Sequence, residues 1–150
     1  MAPGLQGVDH IHVMVRDRDV AESWYARVLG LRRMPELEFW SADGGPLTIS
    51  DAAKRIHLAL FERRAQPSRT TVALRVSAPQ FEAWRHHLVA ALGREPLLED
   101  HQVAWSLYFA DPDGMKLEGM VYKPRPKRRA ARAPRARRAG APPRRTKSRR

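Results

Sequence analysis

Hydrophobic and polar side chains alternate strictly near the start of the chain, a pattern typical of a β-strand with two different faces. Within residues 8–15, aliphatic residues at positions 11, 13 and 15 alternate with His10, His12 and Met14. Side chains two residues apart point to the same side of a strand. We therefore expect the aliphatic residues to pack on a core and the two histidines to face the other way.

A helix is predicted directly after this strand. Asp17 suits the N-cap because its carboxylate accepts backbone N–H groups, and Gly30 suits the C-cap because glycine adopts positive φ at little cost. Between these ends, Val20, Trp24 and Val28 recur at four-residue spacing, which predicts one apolar helical face. Three strands are then predicted at residues 31–40, 46–50 and 55–61.

The second half of the chain repeats this order. Residues 70–76 form a predicted strand, and residues 77–80 read as a capping box that includes Pro79. Gly93 ends the predicted helix. The apolar face of that helix is formed by Phe81, Trp84, Leu88 and Leu92. Three further strands are predicted at residues 96–100, 103–110 and 115–121.

The repeated order of elements predicts an α+β fold of two paired βαβββ modules. Neither module alone covers both faces of its own sheet, so the two are expected to pack together. We expect a curved, half-closed mixed β-sheet barrel with the helices outside. The functional site is expected in the concave face of that barrel.

Composition restricts the kinds of site that the chain can build. The chain of 150 residues contains no cysteine, so a metal would have to be bound by His, Asp or Glu. No apolar run approaches the ~20 residues that span a bilayer, and the N-terminus lacks a basic segment followed by an apolar one. No Gly-rich phosphate loop or nucleophile elbow is present. These features predict a cytoplasmic protein.

The net charge of +12 divides the chain into two parts. Residues 123–150 contain 14 of the 28 Lys and Arg residues and none of the 16 acidic residues. Residues 1–122 therefore carry a net charge of −2 and form the predicted domain. The basic segment is predicted to be disordered and to attract nucleic-acid phosphates or an anionic membrane surface. The alternative is an extension without a function.

One further segment indicates a family. Residues 111–118 read Asp-Pro-Asp-Gly-Met-Lys-Leu-Glu, a tight turn followed by a strand that carries one carboxylate. Together with residues 8–15, they resemble the last and first strands of a vicinal-oxygen-chelate domain. This superfamily includes glyoxalase I, extradiol dioxygenases, and fosfomycin and bleomycin resistance proteins. The resemblance covers residues 7–122.

The resemblance implies a metal site. His10 falls on the first-strand ligand and Glu118 on the last-strand ligand, while His57 falls on a fourth-strand position that binds metal in glyoxalase I-like members. Two imidazoles and a carboxylate suit Fe(II), Mn(II), Ni(II) or Zn(II). The chain departs from the family at Thr71, which occupies a usual ligand position. Alternatively, His10 and His57 are structural residues held by hydrogen bonds.

The resemblance implies a divalent-metal-dependent enzyme, a lyase, isomerase or dioxygenase, that acts on a small molecule chelated through neighbouring oxygens. Glu118 and His12 are candidate bases, and Tyr108 is a candidate to orient an oxygen of the substrate. The alternative is a metal-free protein that sequesters a small ligand, as bleomycin resistance proteins do. Domains of this kind often dimerise, so a homodimer is an expectation as well.

Three other residues are candidates for substrate contacts. Arg75 shares a strand face with Thr71 and suits an anionic group, although an outward or edge position fits it equally well. Trp40 and Trp105 are candidates for an apolar pocket lining. Aromatic residues in strands also serve as core residues, so both alternatives stay open for the two tryptophans.

Overall fold

The computed structural model describes residues 2–3, 6–64 and 69–124 of the chain. Residues 125–150, which make up most of the predicted disordered tail, lie outside the described residues. Within the described part, no helix is both long enough and apolar enough to cross a membrane.

The first module occupies the N-terminal half. Its elements are β1 (Ile11–Val15), α1 (Arg18–Leu29), β2 (Arg32–Arg33), a 3₁₀ turn (Pro35–Leu37), α2 (Glu38–Ala42), β3 (Leu47–Ser50) and β4 (His57–Glu62). The strands form one sheet in the order β1-β4-β3-β2. In this sheet β1 and β4 are parallel, whereas β4, β3 and β2 pair antiparallel.

The second module repeats the arrangement. Its elements are β5 (Thr71–Arg75), a 3₁₀ turn (Ala78–Gln80), α3 (Phe81–Leu92), β6 (Leu97–Asp100), β7 (Ala104–Ala110) and β8 (Lys116–Tyr122). The strands form a second sheet in the order β5-β8-β7-β6, with β5 and β8 parallel. The α+β fold of two βαβββ modules is thus confirmed. One detail differs, because the two sheets stay separate and do not join into a half-closed barrel.

Both predicted ends of α1 are confirmed. The Asp17 carboxylate accepts hydrogen bonds from the backbone N–H groups of Asp19 and Val20, and Gly30 ends the helix at φ 70°. The predicted apolar face was partly wrong, because Val20 is 57% exposed whereas Ala21 and Tyr25 are buried. The four-residue spacing therefore identified Trp24 and Val28 correctly but did not identify Ala21 and Tyr25 as buried residues of the same helix.

The predicted strand at residues 31–40 was largely wrong. Only Arg32 and Arg33 pair with β3, and Pro35 then begins the 3₁₀ turn that leads into α2. Proline has no backbone N–H and fixes φ near −65°, so it ends strand pairing and favours a helical turn. In the second module, the Ser77 hydroxyl contacts the Gln80 side chain at 2.7 Å instead of capping a backbone N–H group.

One hydrophobic core joins the two modules. It contains the inner faces of both sheets together with buried side chains of α1 and α3. The two helices also contact each other directly. The guanidinium of Arg27 donates to the carbonyl of Ala91, and Nε2 of His87 donates to the carbonyl of Val28 at 2.9 Å. The helices therefore lie on the core side of both sheets.

A buried hydrogen bond crosses the boundary between the modules. The hydroxyl of Tyr25, on α1, donates to Oδ2 of Asp111, which follows β7, at 2.8 Å. The other oxygen of Asp111 accepts the backbone N–H groups of Asp113 and Met115. Burial, reinforced by the adjacent Asp111 carboxylate, raises the pKa of Tyr25 far above its usual range, so the phenol stays a donor.

Tyr25→Phe is expected to lower the free energy of unfolding by about 1–3 kcal/mol, because buried Asp111 loses one of its three donors. Tyr122→Phe is the matched control, since Tyr122 is 56% exposed, and its effect is expected to stay within about 0.5 kcal/mol. Equilibrium urea unfolding measures both variants. Equal stability of the two would contradict a stabilising role for the bond between the modules.

Candidate functional site

Each sheet has a polar face that is directed away from the shared core. On the first sheet, His12 and Met14 alternate with buried Val13 and Val15 of β1. We call this surface the first polar face; it consists of His10, His12, Met14, His57, Ala59 and Phe61. The alternation predicted for residues 8–15 is confirmed, because the aliphatic positions enter the core and the histidines face outwards.

His10 and His57 are neighbours on the first polar face. Ile11 of β1 lies opposite Leu58 of the parallel strand β4. His10 and His57 directly precede these two residues, so they lie next to each other across the two strands. The electrostatics agree with this placement. A hydrogen bond from His10, with a weaker contribution from the charge of His57, lowers the pKa of Asp9 below its usual value.

The hydrogen bonds of His10 define its tautomer. Nδ1 of His10 lies 2.7 Å from Oδ1 of Asp9, and Nε2 of His10 lies 3.0 Å from Nε2 of His12. A carboxylate only accepts, so Nδ1 of His10 carries a proton, and Nε2 of the neutral ring then accepts from His12. The His12 ring also packs against Phe61 with 4.6 Å between centroids. The lone pair of the His10 ring, on Nε2, is therefore engaged by His12, which would have to give up this bond before Nε2 could bind a ligand.

His57 has an unusual environment. Its Nε2 atom is buried and has no hydrogen-bond partner among the described residues. Within the described part of the chain, the other buried side-chain polar atom without a hydrogen-bond partner is Oγ1 of Thr48, on the neighbouring strand β3. A buried polar atom without a partner costs about 1–3 kcal/mol, so a missing ligand is one physical explanation for His57.

The second polar face carries the remaining predicted acid and phenol. It comprises residues on the outward side of the second sheet, namely Thr71, Ala73, Arg75, Ser106, Tyr108, Glu118, Met120 and Tyr122. Glu118 lies opposite Tyr108 across β7 and β8, and its Oε1 accepts the hydroxyl of Ser106 at 2.6 Å. Partial desolvation and then the Glu118 carboxylate raise the pKa of Tyr108. Tyr108 therefore stays protonated at neutral pH and faces the same surface as Glu118.

Arg75 and Thr71 lie on the second polar face, as expected from the alternation along β5. The guanidinium of Arg75 lies 5.4 Å from the centroid of the Tyr122 ring. Arg75 forms no ion pair with a residue that the structure describes. Thr71, at the usual ligand position, is exposed and lies opposite Lys116 in the parallel pair of β5 and β8.

The two tryptophans occupy different surroundings. Trp40 lies on α2 and is 45% exposed, beside Phe39 at 5.3 Å between ring centroids. Trp105 lies on β7, where it packs against the core on the side opposite to Tyr108. The ammonium of Lys123 lies 4.1 Å above the Trp105 ring. The structure does not bring these two side chains together with Glu118.

The predicted metal ligands are divided between the two polar faces. His10 and His57 belong to the first sheet, and Glu118 belongs to the second. Within the described part of one chain, no group of three or more His, Cys, Asp or Glu side chains is placed to hold a metal ion. In a single chain, the three predicted ligands therefore lie on two separate sheets.

Sequence reasoning did not identify several partners of these residues. Asp9 and Ser106 hold His10 and Glu118 through hydrogen bonds, and Nε2 of His101 contacts the Tyr108 hydroxyl at 3.0 Å. Ser106 was accessible to the alternation argument because it lies two residues before Tyr108. The contact of His101 depends on a turn between β6 and β7, which periodicity does not describe.

Comparisons with known proteins agree with this architecture. A glyoxalase/dioxygenase from Nostoc punctiforme has a similar structure, with a TM-score of 0.62 at 20% identity over 83% of this chain and 97% of that chain. A glyoxylase/bleomycin resistance protein/dioxygenase domain from Frankia sp. EAN1pec gives a TM-score of 0.64 at 20% identity over 80% and 94% of the two chains.

A third similar structure contains a metal. The fosfomycin resistance protein FosX from Listeria monocytogenes, complexed with Mn(II) and sulfate, gives a TM-score of 0.60 at 13% identity over 80% of this chain and 93% of that chain. No curated protein matches the sequence. Residues 7–118 match a family of known sequences. The chain belongs to the Glyoxalase/Bleomycin resistance protein/Dioxygenase superfamily, the vicinal-oxygen-chelate proteins.

Proposed function

We propose that the protein is a divalent-metal-dependent enzyme that acts on a small molecule chelated through two neighbouring oxygens. The observation that carries this proposal is the buried Nε2 atom of His57, which lacks a partner among the described residues beside His10. A structurally similar protein binds Mn(II), which supports a divalent metal in this fold.

The donor atoms fit such a metal. His10 and His57 would supply imidazole nitrogens and Glu118 would supply carboxylate oxygen, a set that suits Mn(II), Fe(II), Ni(II) or Zn(II). The bond from His10 to Asp9 is the kind of outer contact that orients ligating histidines. When bound, the metal would supply Lewis-acid stabilisation of negative charge on the substrate oxygens.

The surrounding side chains have separate roles in this proposal. Ser106 orients the Glu118 carboxylate by donating its hydroxyl proton. Tyr108 keeps its proton, because its pKa is raised, and is available to donate a hydrogen bond to a substrate oxygen. His12, whose ring lies beside Nε2 of His10, is the proposed base through Nδ1, the ring nitrogen that is not bonded to His10. Arg75 would hold an anionic group of the substrate on the same face as Glu118.

A homodimer would complete the site. The first polar face presents the two imidazoles and the second presents the carboxylate, and each is directed away from the core of its own chain. In a two-fold dimer, the first face of one copy can lie opposite the second face of its partner, and the same contact is repeated by symmetry. Two equivalent sites per dimer then follow.

The second candidate function is metal-free binding of a small ligand on the same faces. Thr71 favours it, because a hydroxyl replaces a usual ligand at this exposed position. In that case the histidines would donate hydrogen bonds to the ligand, and Arg75 would pair with an anionic group on it. Metal content separates the two candidates.

The basic segment supports a separate interaction. Residues 123–150 carry 14 Lys and Arg residues and no acidic residue, so we propose that they bind nucleic acid without sequence preference. The affinity of the full chain for duplex DNA is expected to fall by about 10³-fold between 50 and 200 mM salt. A chain ending at Pro124 should lose this binding. Equal binding by the truncated chain would refute the proposal, and binding only to anionic vesicles would assign the segment to membranes.

Metal content tests the first proposal. The protein reconstituted with Mn(II) under anaerobic conditions is expected to hold about one ion per chain by elemental analysis. His10→Ala, His57→Ala and Glu118→Ala should each weaken Mn(II) binding by about 100-fold or more, because each removes a direct ligand. His86→Ala is the control, since His86 is an exposed residue of α3. A parent protein without metal would refute the enzyme proposal and favour metal-free binding.

Stability without metal gives an independent test of His57. In EDTA, His57→Leu is expected to leave the free energy of unfolding unchanged or to raise it, because it removes a buried atom that has no partner. His87→Leu is the matched control and should cost about 0.5–1.5 kcal/mol, since it loses the bond to Val28. Urea unfolding of both variants decides the matter. A loss at His57 as large as that at His87 would contradict the metal-ligand interpretation.

A further inference from the structure

Four side chains form a small patch where β3 and β4 pair, on the side of the sheet that carries the first polar face. Thr48 of β3 lies directly opposite Ala59 of β4, and Ser50 lies directly opposite His57. Residues opposite each other in a strand pair project to the same side, so all four side chains are neighbours. Thr48, Ser50 and Ala59 are only 2–5% exposed, whereas His57 is half-buried. The patch is therefore closed to solvent, although its side of the sheet is directed away from the core.

Two polar atoms of this patch lack a hydrogen-bond partner among the described residues, Oγ1 of Thr48 and Nε2 of His57. The Ser50 hydroxyl donates to the carbonyl of Asp51 at 3.1 Å, and Ala59 has no polar side-chain atom. No other buried side-chain nitrogen or oxygen in the described ranges lacks a partner. Each such atom costs free energy, and the two lie side by side, which indicates one common cause.

The common cause is one absent group that contacts both atoms. Thr48 and His57 are diagonal neighbours across the two strands, a relation that places Cα atoms about 7–8 Å apart and within reach of a long side chain. The two atoms do not bond each other. A small group seated between them can contact both, because a hydrogen bond spans about 3 Å on each side.

The chemistry of the two atoms restricts the kind of group. The imidazole nitrogen of His57 suits a divalent metal ion. The neutral hydroxyl of Thr48 is a poor metal ligand, but it donates to and accepts from oxygen atoms. Thr48 therefore fits an oxygen that lies beside the ion, and not the ion itself.

We propose that Thr48 holds an oxygen of the small molecule that binds at His57. This inference rests on the proposed function, in which the molecule is chelated through two neighbouring oxygens. Shielding from water strengthens a hydrogen bond at this position and penalises a molecule that places an apolar group there. Thr48 is thus a specificity-determining residue and not a further metal ligand.

The metal-free protein gives the first test. Thr48→Val replaces the hydroxyl by a methyl group of similar size. In EDTA it is expected to leave the midpoint of urea unfolding unchanged or to raise it, because this hydroxyl has no bond to lose. Ser50→Ala is the matched control, since its equally buried hydroxyl has a partner. Its equilibrium constant for unfolding should rise about three- to tenfold.

A chelating probe gives the second test. Acetohydroxamate, which offers two neighbouring oxygens, is titrated by calorimetry into the full chain loaded with Mn(II), with the protein in excess over the ion. Thr48→Val is expected to bind Mn(II) as the parent does and to bind acetohydroxamate about tenfold more weakly, because one hydrogen bond is missing. Thr48→Ser keeps the hydroxyl and should restore the affinity for the probe.

The outcomes separate this inference from the proposed function. A parent that binds no Mn(II) overturns both. Equal acetohydroxamate affinity of parent and Thr48→Val, or no binding of the probe by the loaded parent, overturns the role of Thr48 alone. The same holds if Thr48→Val loses Mn(II) as His57→Ala does. A midpoint in EDTA that falls as far as that of Ser50→Ala would also contradict it, because Thr48 would then have a partner inside the chain.

Discussion

The hydroxyl of Tyr25 donates to the carboxylate of Asp111 at 2.8 Å, and this buried bond links the two modules beside their shared hydrophobic core. A buried carboxylate is costly unless each oxygen has donors. Asp111 obtains two donors from its own turn and the third from α1 of the other module. The turn before β8 is thus fixed against the first helix. The ion pair of Arg16 with Asp113, at 2.6 Å, lies on the same turn.

This arrangement has a direct consequence for function. With α1 and α3 packed together on the core side, the polar faces of both sheets are left directed away from the core. Two of the proposed metal ligands, His10 on the first face and Glu118 on the second, are each oriented by a hydrogen bond, from His10 to Asp9 and from Ser106 to Glu118. Two copies would be required to bring an imidazole pair and a carboxylate around one ion. The proposed dimer follows from this separation.

Much of this architecture is predictable from local patterns. Alternation assigned His10, His12 and Glu118 to the sheet faces opposite the helices, where the concave site was expected, because a strand allows only two sides. The caps of α1 followed from Asp17 and Gly30, whose conformational preferences act within one turn of chain. The strand predicted at residues 31–40 was wrong because the prediction gave the apolar residues of this segment more weight than Pro35, which ends strand pairing. Val20 was misplaced because a four-residue spacing drifts around a helix of 3.6 residues per turn.

The way in which the two modules pack together could not be predicted from local sequence patterns. Periodicity identifies the side of a strand that avoids the core, but it does not say which two polar faces meet. That relation depends on contacts far apart in sequence, such as those of Tyr25 with Asp111 and of His87 with Val28. For the same reason, the placement of Trp105 on the core side required the three-dimensional structure.

The most direct test of the central claim is the metal content of a mixed dimer. His10→Ala and Glu118→Ala chains, each unable to hold Mn(II) alone, are co-expressed and purified together. If each site takes its imidazoles from one copy and its carboxylate from the other, random pairing restores about a quarter of the parent metal content. Absence of any restoration, with dimers present by sedimentation, would contradict a site shared between two copies.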